Sequence, residues 1–391
     1  MNITKRKTGY RIRIYGGKDS NGKQKVYSKT VSFKDPLLAD LTEKQREKAI
    51  YAMALAFENE CLGLSLAPNV KFSELADRWF EEYAKIQQRP TTFERSLQLK
   101  HRTYAALGHL RMDKITTGTI QMFINSLTKS GVNQNKKDSG LSSKTIKHYL
   151  SFISLVFDFA IRLGMLNKNP CCNVILPPDT QKEKNIYTIA EATEFLNLVF
   201  SNAPLKYQCF AALAIYGGFR RSEILALKYS DIDGNIVHIR RTANQTKERG
   251  MYIGETKTRT SYRSVMLPDI AIEKINLLKA EQSKQKAFME IVPSDDDFIF
   301  CSMDFSQIMY SSEPYNYLKK FCKRYNMPFY GLHSFRHFTA SVMLAQGTDI
   351  KTVSSVLGHS TPSTTLGIYA HVIAEQQAKA TQAVADVLNI N

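Results

Sequence analysis

The chain is short of acid. Against 53 Lys and Arg it carries 36 Asp and Glu, a net charge of +17 over 391 residues and a pI of about 9.4. Such a surface favours a polyanion, by Coulomb attraction and counterion release. No uninterrupted apolar run is long enough to span a bilayer, and the start shows no signal-peptide pattern. A membrane partner is therefore not expected, and a cytoplasmic protein is. Cysteine is sparse and scattered (Cys61, Cys171, Cys172, Cys209, Cys301, Cys322), with no metal-ligand spacing, so packed reduced thiols are expected. A Walker-type loop, a dinucleotide fingerprint and a His-Glu-x-x-His pattern are all missing. Neither a cofactor nor a metal is expected.

The length suits two or three domains, and the basic charge is uneven. Residues 1–34 hold ten Lys or Arg against the single acid Asp19, which is +9 of the +17. Tyr10, Ile12 and Ile14 alternate with Arg11, Arg13 and Tyr15, a strand period, and Asn21-Gly22 is a hairpin signal before a return strand over 25–30. A strand pair with one cationic face fits a major groove; a solvated basic edge is the plainer alternative. The candidate DNA contacts are Arg11, Arg13, Lys25, Tyr27 and Lys29. A helix follows from Thr42, with Gln45 completing a capping-box pattern and Ile50, Met53, Ala54 and Phe57 forming an apolar stripe.

Leu66-Ala-Pro-Asn69 is a first linker, and Pro177 to Lys184 a second. Between them, Phe72, Leu75, Trp79, Phe80 and Tyr83, then Ile120, Phe123, Ile124 and Leu127, then Ile146 to Ile161 recur at helical spacing. A basic helix over 92–107 brings Arg95, Lys100 and Arg102. Four helices with short connections make a bundle. Its aromatics read as core, and its basic residues as phosphate contacts, which position without reading sequence. The fold class expected is multidomain and mainly α: a small N-terminal β-sheet plus helix over 1–66, a helical bundle over 67–178, and a mixed, mainly-α domain with a small antiparallel sheet over 179–391.

The last domain opens at Thr188 with Glu191 as a further capping box. A buried helix over 210–216 breaks at Gly217-Gly218, and Arg220 begins the next; Glu223, one turn on, either orients Arg220 or forms a surface ion pair. From Ile236 to Leu267 the period shifts towards two, predicting a small sheet over 236–240, 254–258 and 263–267 with Lys257 near a turn. His333 and Arg336 are three apart on a predicted helix and so can point at one target. Gly358-His359 and Tyr369 follow. Singly, His333 or Tyr369 reads as an ordinary surface or core residue. The ordered set reads otherwise.

Those pieces, Tyr216 to Asp233, Glu255-Thr-Lys-Thr258 before Tyr262 to Pro268, and Gly331 to His371, together resemble the catalytic domain of the tyrosine recombinases, the integrases of phages and conjugative transposons. The resemblance places the active site at Arg220, Lys257, His333, Arg336 and His359, with Tyr369 as nucleophile. Where many relatives have Thr-Gly-Leu-Arg, this chain has Gly217-Gly-Phe-Arg220, and the Arg is kept. The resemblance also implies that the bundle is a SAM-like core-binding domain and the N-terminal sheet an arm-site binder. The partners it implies are double-stranded DNA at core and arm sites, a homotetramer in synapsis, and an excisionase or host DNA-bending protein.

The implied chemistry is physically coherent. A phosphodiester's charge repels nucleophiles and grows in the transition state, and fixed cations offset both effects. Guanidiniums give paired bonds to phosphate oxygens, while histidines donate bonds or move a proton. A phenolate favoured by that cluster attacks, giving a covalent phosphotyrosine and a free hydroxyl. In the family the linkage is 3′, and the Lys protonates the leaving 5′ oxygen. Two other readings are a type IB-like topoisomerase without partner exchange and a non-catalytic DNA-binding regulator. The tail from Val372 to Leu388 carries a candidate apolar stripe of Ile373, Ala380, Val384, Val387 and Leu388. It would fold back on its own domain or dock on a neighbouring subunit.

Overall fold

The computed structural model describes residues 1–18, 23–35, 38, 41–62, 70–133, 139–179, 185–255, 262–358 and 382. The chain separates into two compact units, 1–181 and 182–391.

The first unit opens with an antiparallel sheet of β1 (Asn2–Arg6), β2 (Gly9–Lys18) and β3 (Gln24–Ser32), in the order β1-β2-β3. The alternation in β2 does what its period demands: Tyr10, Ile12 and Ile14 are buried. Helix α1 (Glu43–Leu62) closes over that face with Ile50 and Ala54, and the Thr42 backbone donates to the Gln45 side chain at 3.0 Å. A strand before β2 is not expected from the sequence. Its five residues, Asn-Ile-Thr-Lys-Arg, show only one apolar side chain.

The bundle follows, with a core separate from that of the sheet. Helix α2 (Phe72–Trp79) runs through a π-helical turn at Phe80–Ala84 into the short α3 (Lys85–Gln87). Helix α4 (Pro90–Thr103) starts two residues earlier than the spacing suggests, because Pro90 suits a first turn where its missing N–H has no bond to lose. Helices α5 (Thr117–Ser126) and α6 (Ser143–Arg162) complete it, each N-capped by the expected kind of hydroxyl, Thr116 and Ser142. Phe72, Trp79, Phe80, Phe152 and Phe157 interlock with ring centroids 5.0–6.5 Å apart, so the bundle's large aromatics are core.

The second unit is built on one buried helix. After α7 (Ile189–Asn202), whose Thr188 and Glu191 form the reciprocal capping box, α8 (Leu205–Tyr216) is buried from Cys209 to Ile215. It packs against α7 and against α10 (Asp269–Phe288), α11 (Glu313–Arg324) and α12 (Leu332–Ala345). Between α8 and α10 the described residues form the four-residue α9 (Arg221–Ile224) and five strands. They make two small sheets, where the sequence predicts one. Strands β4 (Ile232–Asp233), β5 (Ile236–Ile239) and β8 (Arg263–Met266) pair in the order β4-β5-β8, while β6 (Arg241–Thr246) and β7 (Gly250–Glu255) form a separate hairpin. The last described helix, α13 (Ile350–Leu357), is N-capped by Asp349 and ends at Gly358 in the left-handed conformation, φ +64°.

Candidate active site

The break after α8 falls at a close approach of the backbone to α13. Gly218 has φ +57°, and a Cβ there would meet the Leu357 side chain at 2.9 Å. This close approach brings the α8–α9 turn onto the end of α13, and three arginines hold it there. Arg263 Nε donates to the carbonyl of Val356 at 2.6 Å, Arg336 Nη2 to that of Leu357 at 2.5 Å, and Arg220 Nη2 to that of Gly358 at 2.8 Å. Three successive carbonyls at one helix C-terminus, where the helix dipole is negative, thus each accept from a different guanidinium. Arg336 Nη1 also donates to the Gly218 carbonyl at 2.8 Å.

Glu223 sits inside this cluster and is 1 % exposed, so it is no surface ion pair. Its Oε1 accepts from Arg220 Nη1 at 2.6 Å and Arg263 Nη1 at 3.1 Å; its Oε2 accepts from the Arg220 backbone at 2.9 Å and Arg263 Nη2 at 2.8 Å. Burial pushes the Glu223 carboxyl up, but the bonds and charge of Arg263, and the charge of Arg220, overcome it and hold the carboxyl below its ordinary range. Among the described residues, three guanidiniums and one carboxylate gather around the end of α13.

His333 and Arg336, three residues apart on α12, differ in burial. His333 is exposed, whereas Arg336 is 2 % exposed. Three residues along a helix leave two side chains roughly 60° apart in direction. Here that difference turns Arg336 onto the α8–α9 turn and His333 outward, its ring edge-on to that of His337 with centroids 4.7 Å apart. The apolar face of α12 is also shifted: Phe335, Ala340 and Leu344 are buried, while Phe338, Val342 and Met343 are only half-buried. Of the six candidates, Arg220 and Arg336 meet at the end of α13 and His333 stands on the same helix as Arg336. Lys257, His359 and Tyr369 lie outside the described residues, as does the tail stripe of Ile373, Ala380, Val384, Val387 and Leu388. Sequence reasoning does not single out Arg263; its only signal is its place in the motif running from Tyr262 to Pro268.

Residues 180–376, which contain this whole cluster, match the phage integrase family. The chain belongs to the phage integrase family. Residues 71–128 match the N-terminal SAM-like domain of phage integrases. Among relatives, a XerC-like tyrosine recombinase of Caldanaerobacter subterraneus is 27 % identical, covering 97 % of this chain and 96 % of its own. The ICEBs1 integrase of Bacillus subtilis is 29 % identical over 64 % of this chain and 68 % of its own. The integrase is thus a tyrosine recombinase, a DNA strand-transferring enzyme. Its fold is that of the Tn1549 transposon integrase, solved in complex with transposon right end DNA (TM-score 0.67, 19 % identity, covering 81 % of this chain and all of that one). It is also that of lambda integrase, solved as a tetramer bound to a Holliday junction (TM-score 0.54, 15 % identity, 93 % of each).

The candidate DNA contacts of this integrase are distributed differently from the expectation of one cationic face. The register pairs Arg11 with Thr30 and Arg13 with Ser28, but Ile12 with Lys29 and Ile14 with Tyr27. Directly opposed residues share a face, so Arg11 and Arg13 lie on the open side. Tyr27 and Lys29, with Lys25 next in the alternation, lie on the side of α1. Lys29 Nζ stands 5.6 Å from the Phe57 ring centre. In the bundle Arg95 is exposed. Lys100 instead pairs with Asp77 at 2.7 Å above the Tyr104 ring, and Arg102 donates to the Val132 carbonyl at 2.6 Å. Among the described residues no cluster of His, Cys, Asp and Glu could hold a metal, and no helix is long and apolar enough to cross a membrane.

Proposed function

We propose that this integrase moves a mobile DNA element, a phage or conjugative transposon, into and out of a chromosome. It cuts and rejoins strands through a 3′-phosphotyrosine at Tyr369. The observation that supports this reading is the gathering of Arg220 and Arg336 on adjacent carbonyls at the end of α13, immediately before His359. Arg220, with a third of its side chain exposed, presents its guanidinium to the scissile phosphate. Arg336, one carbonyl away, adds a second positive charge in a low-dielectric setting, where it counts for more. His333, exposed on α12, takes the phenol proton, His359 donates to a phosphate oxygen, and Lys257 protonates the leaving 5′ oxygen.

In this proposal residues 1–66 bind arm sites through the open face of the sheet, with Arg11 and Arg13 foremost and Lys25, Tyr27 and Lys29 at its other side. Residues 67–178 grip the core site, with Arg95 on phosphate and Lys100 and Arg102 bracing the helix that carries it, and residues 179–391 cut. Four copies synapse on paired core sites, with an excisionase or a DNA-bending host protein setting direction, in the bacterial cytoplasm. The tail after Tyr369 links the subunits. The test is a nicked duplex spanning one end of the element, run on a denaturing gel. The wild-type protein is expected to trap a covalent adduct, and Tyr369→Phe to bind equally well and trap none. An adduct in the mutant would remove Tyr369 as nucleophile.

A further inference from the structure

We infer that Arg263 is a positioning residue for strand cleavage. It fixes Glu223 so that this carboxylate holds Arg220, and it anchors the last turn of α13, from which the chain enters Gly358-His359. The inference rests on the recombinase reading above.

The geometry is a closed ring. Arg263 reaches Glu223 and the Val356 carbonyl; the backbone runs from Val356 through Leu357 to Gly358; the Gly358 carbonyl accepts from Arg220; and Arg220 returns to Glu223. A carboxylate has about four acceptor positions, and Glu223 fills them with four bonds, two from Arg263 and two from Arg220. Its rotation is therefore fixed by both partners. Without Arg263, half of those bonds vanish from a group 1 % exposed, and the carboxylate turns wholly towards Arg220, withdrawing that guanidinium's charge from a phosphate.

The Arg263 side chain is 5 % exposed and lies over the Phe219 ring, with 5.5 Å between guanidinium carbon and ring centre. It works through other groups. A Cβ at Gly358 would stand 2.8 Å from Arg263 Nη1, which makes the missing side chain there a matter of room as well as of φ. Arg263 is also the first residue of β8, six positions after Lys257 in the sequence. A lysine cannot do this work, because one ammonium cannot make a parallel pair to a carboxylate and also reach a carbonyl in fixed geometry.

The test uses full-length Arg263→Lys and the nicked duplex above, with either an ordinary phosphate or a methylphosphonate at the cleaved position. Adduct formation is followed in a single turnover at saturating protein, and binding is measured separately. We expect Arg263→Lys to bind within twofold of wild type and to cleave the phosphate about 100-fold more slowly, the order of loss for a misplaced catalytic group. The gap should shrink at least tenfold on methylphosphonate, which lacks the non-bridging negative charge that Arg220 offsets. Should the lysine variant fail to fold, Glu223→Gln combined with Arg263→Met removes both charges together; Arg220 then lacks the carboxylate that holds it, and the same pattern is expected from its misplacement. Wild-type cleavage of the phosphate by Arg263→Lys, or an equal defect on both substrates, overturns the inference while leaving the recombinase reading intact. If wild type itself traps no adduct, both fall.

Discussion

Arg336 of α12 and Leu357 at the end of α13 are joined by a 2.5 Å hydrogen bond from guanidinium to backbone carbonyl. Through the second bond of Arg336, to the Gly218 carbonyl, the same side chain reaches the turn that presents Arg220. Two candidate catalytic arginines are thus parts of the scaffold as well as of the site, and their substitution is expected to disturb geometry as well as charge.

Glu223 gives the cluster an acid limit. Its carboxyl is held below the ordinary range in the folded chain, so its stabilising effect is complete above about pH 4.5, where the unfolded carboxyl titrates, and fades as pH falls towards the folded value. Glu223→Gln is expected to cost about 3 kcal/mol at pH 7, since it strips the partner from two largely buried arginine contacts. The gap from wild type in urea unfolding should narrow by pH 3. A gap of the same size at both values would mean that Glu223 is not ionised in the fold.

Gly358→Ala combines a left-handed φ of +64° with a Cβ 2.8 Å from a pinned guanidinium. The conformation alone costs about 1–2 kcal/mol. Gly358→Asn tolerates that conformation better but keeps the Cβ, so adduct formation should remain defective in both variants while thermal stability recovers in part with Asn. Full activity in the Asn variant would show that φ, and not the space beside Arg263, is what the position requires.

The two faces of the N-terminal sheet should behave differently. Removing one cation from a phosphate lowers the log–log salt slope of binding by about 0.9, so Arg11→Ala with Arg13→Ala is expected to flatten it by about 1.8 on DNA carrying the sequences that flank the core site. Lys29→Ala, on the α1 side, should leave the slope within error. The reverse result would put the DNA on the helix side of the sheet.

Lys257→Ala should cleave an ordinary phosphate poorly and a duplex with sulfur at the bridging 5′ position well, because a thiolate leaves without a proton. Equal defects on the two substrates would make Lys257 an electrostatic contact and not the general acid.

Features that depend on near neighbours were legible in the sequence. The 3.6 period of Phe72, Leu75 and Trp79, the apolar run from Cys209 to Ile215 in α8, and the Thr188–Glu191 capping box involve residues within a turn or two of one another, so they are written locally. The motif order from Arg220 to Tyr369 is likewise linear, and it carried the family. The remaining features depend on packing between distant parts of the chain. The β6 strand Arg-Thr-Ala-Asn-Gln-Thr has no apolar alternation, and only its pairing with β7 makes it a strand. The face of Lys29 follows from register, which a period of two cannot supply without the partner strand. Glu223 and Arg263 are 40 residues apart, and Arg220 and Gly358 are 138 apart. Charges that far apart in the chain look like ordinary surface residues until packing brings them together and removes the water, and only then do the bonds between them become both necessary and strong.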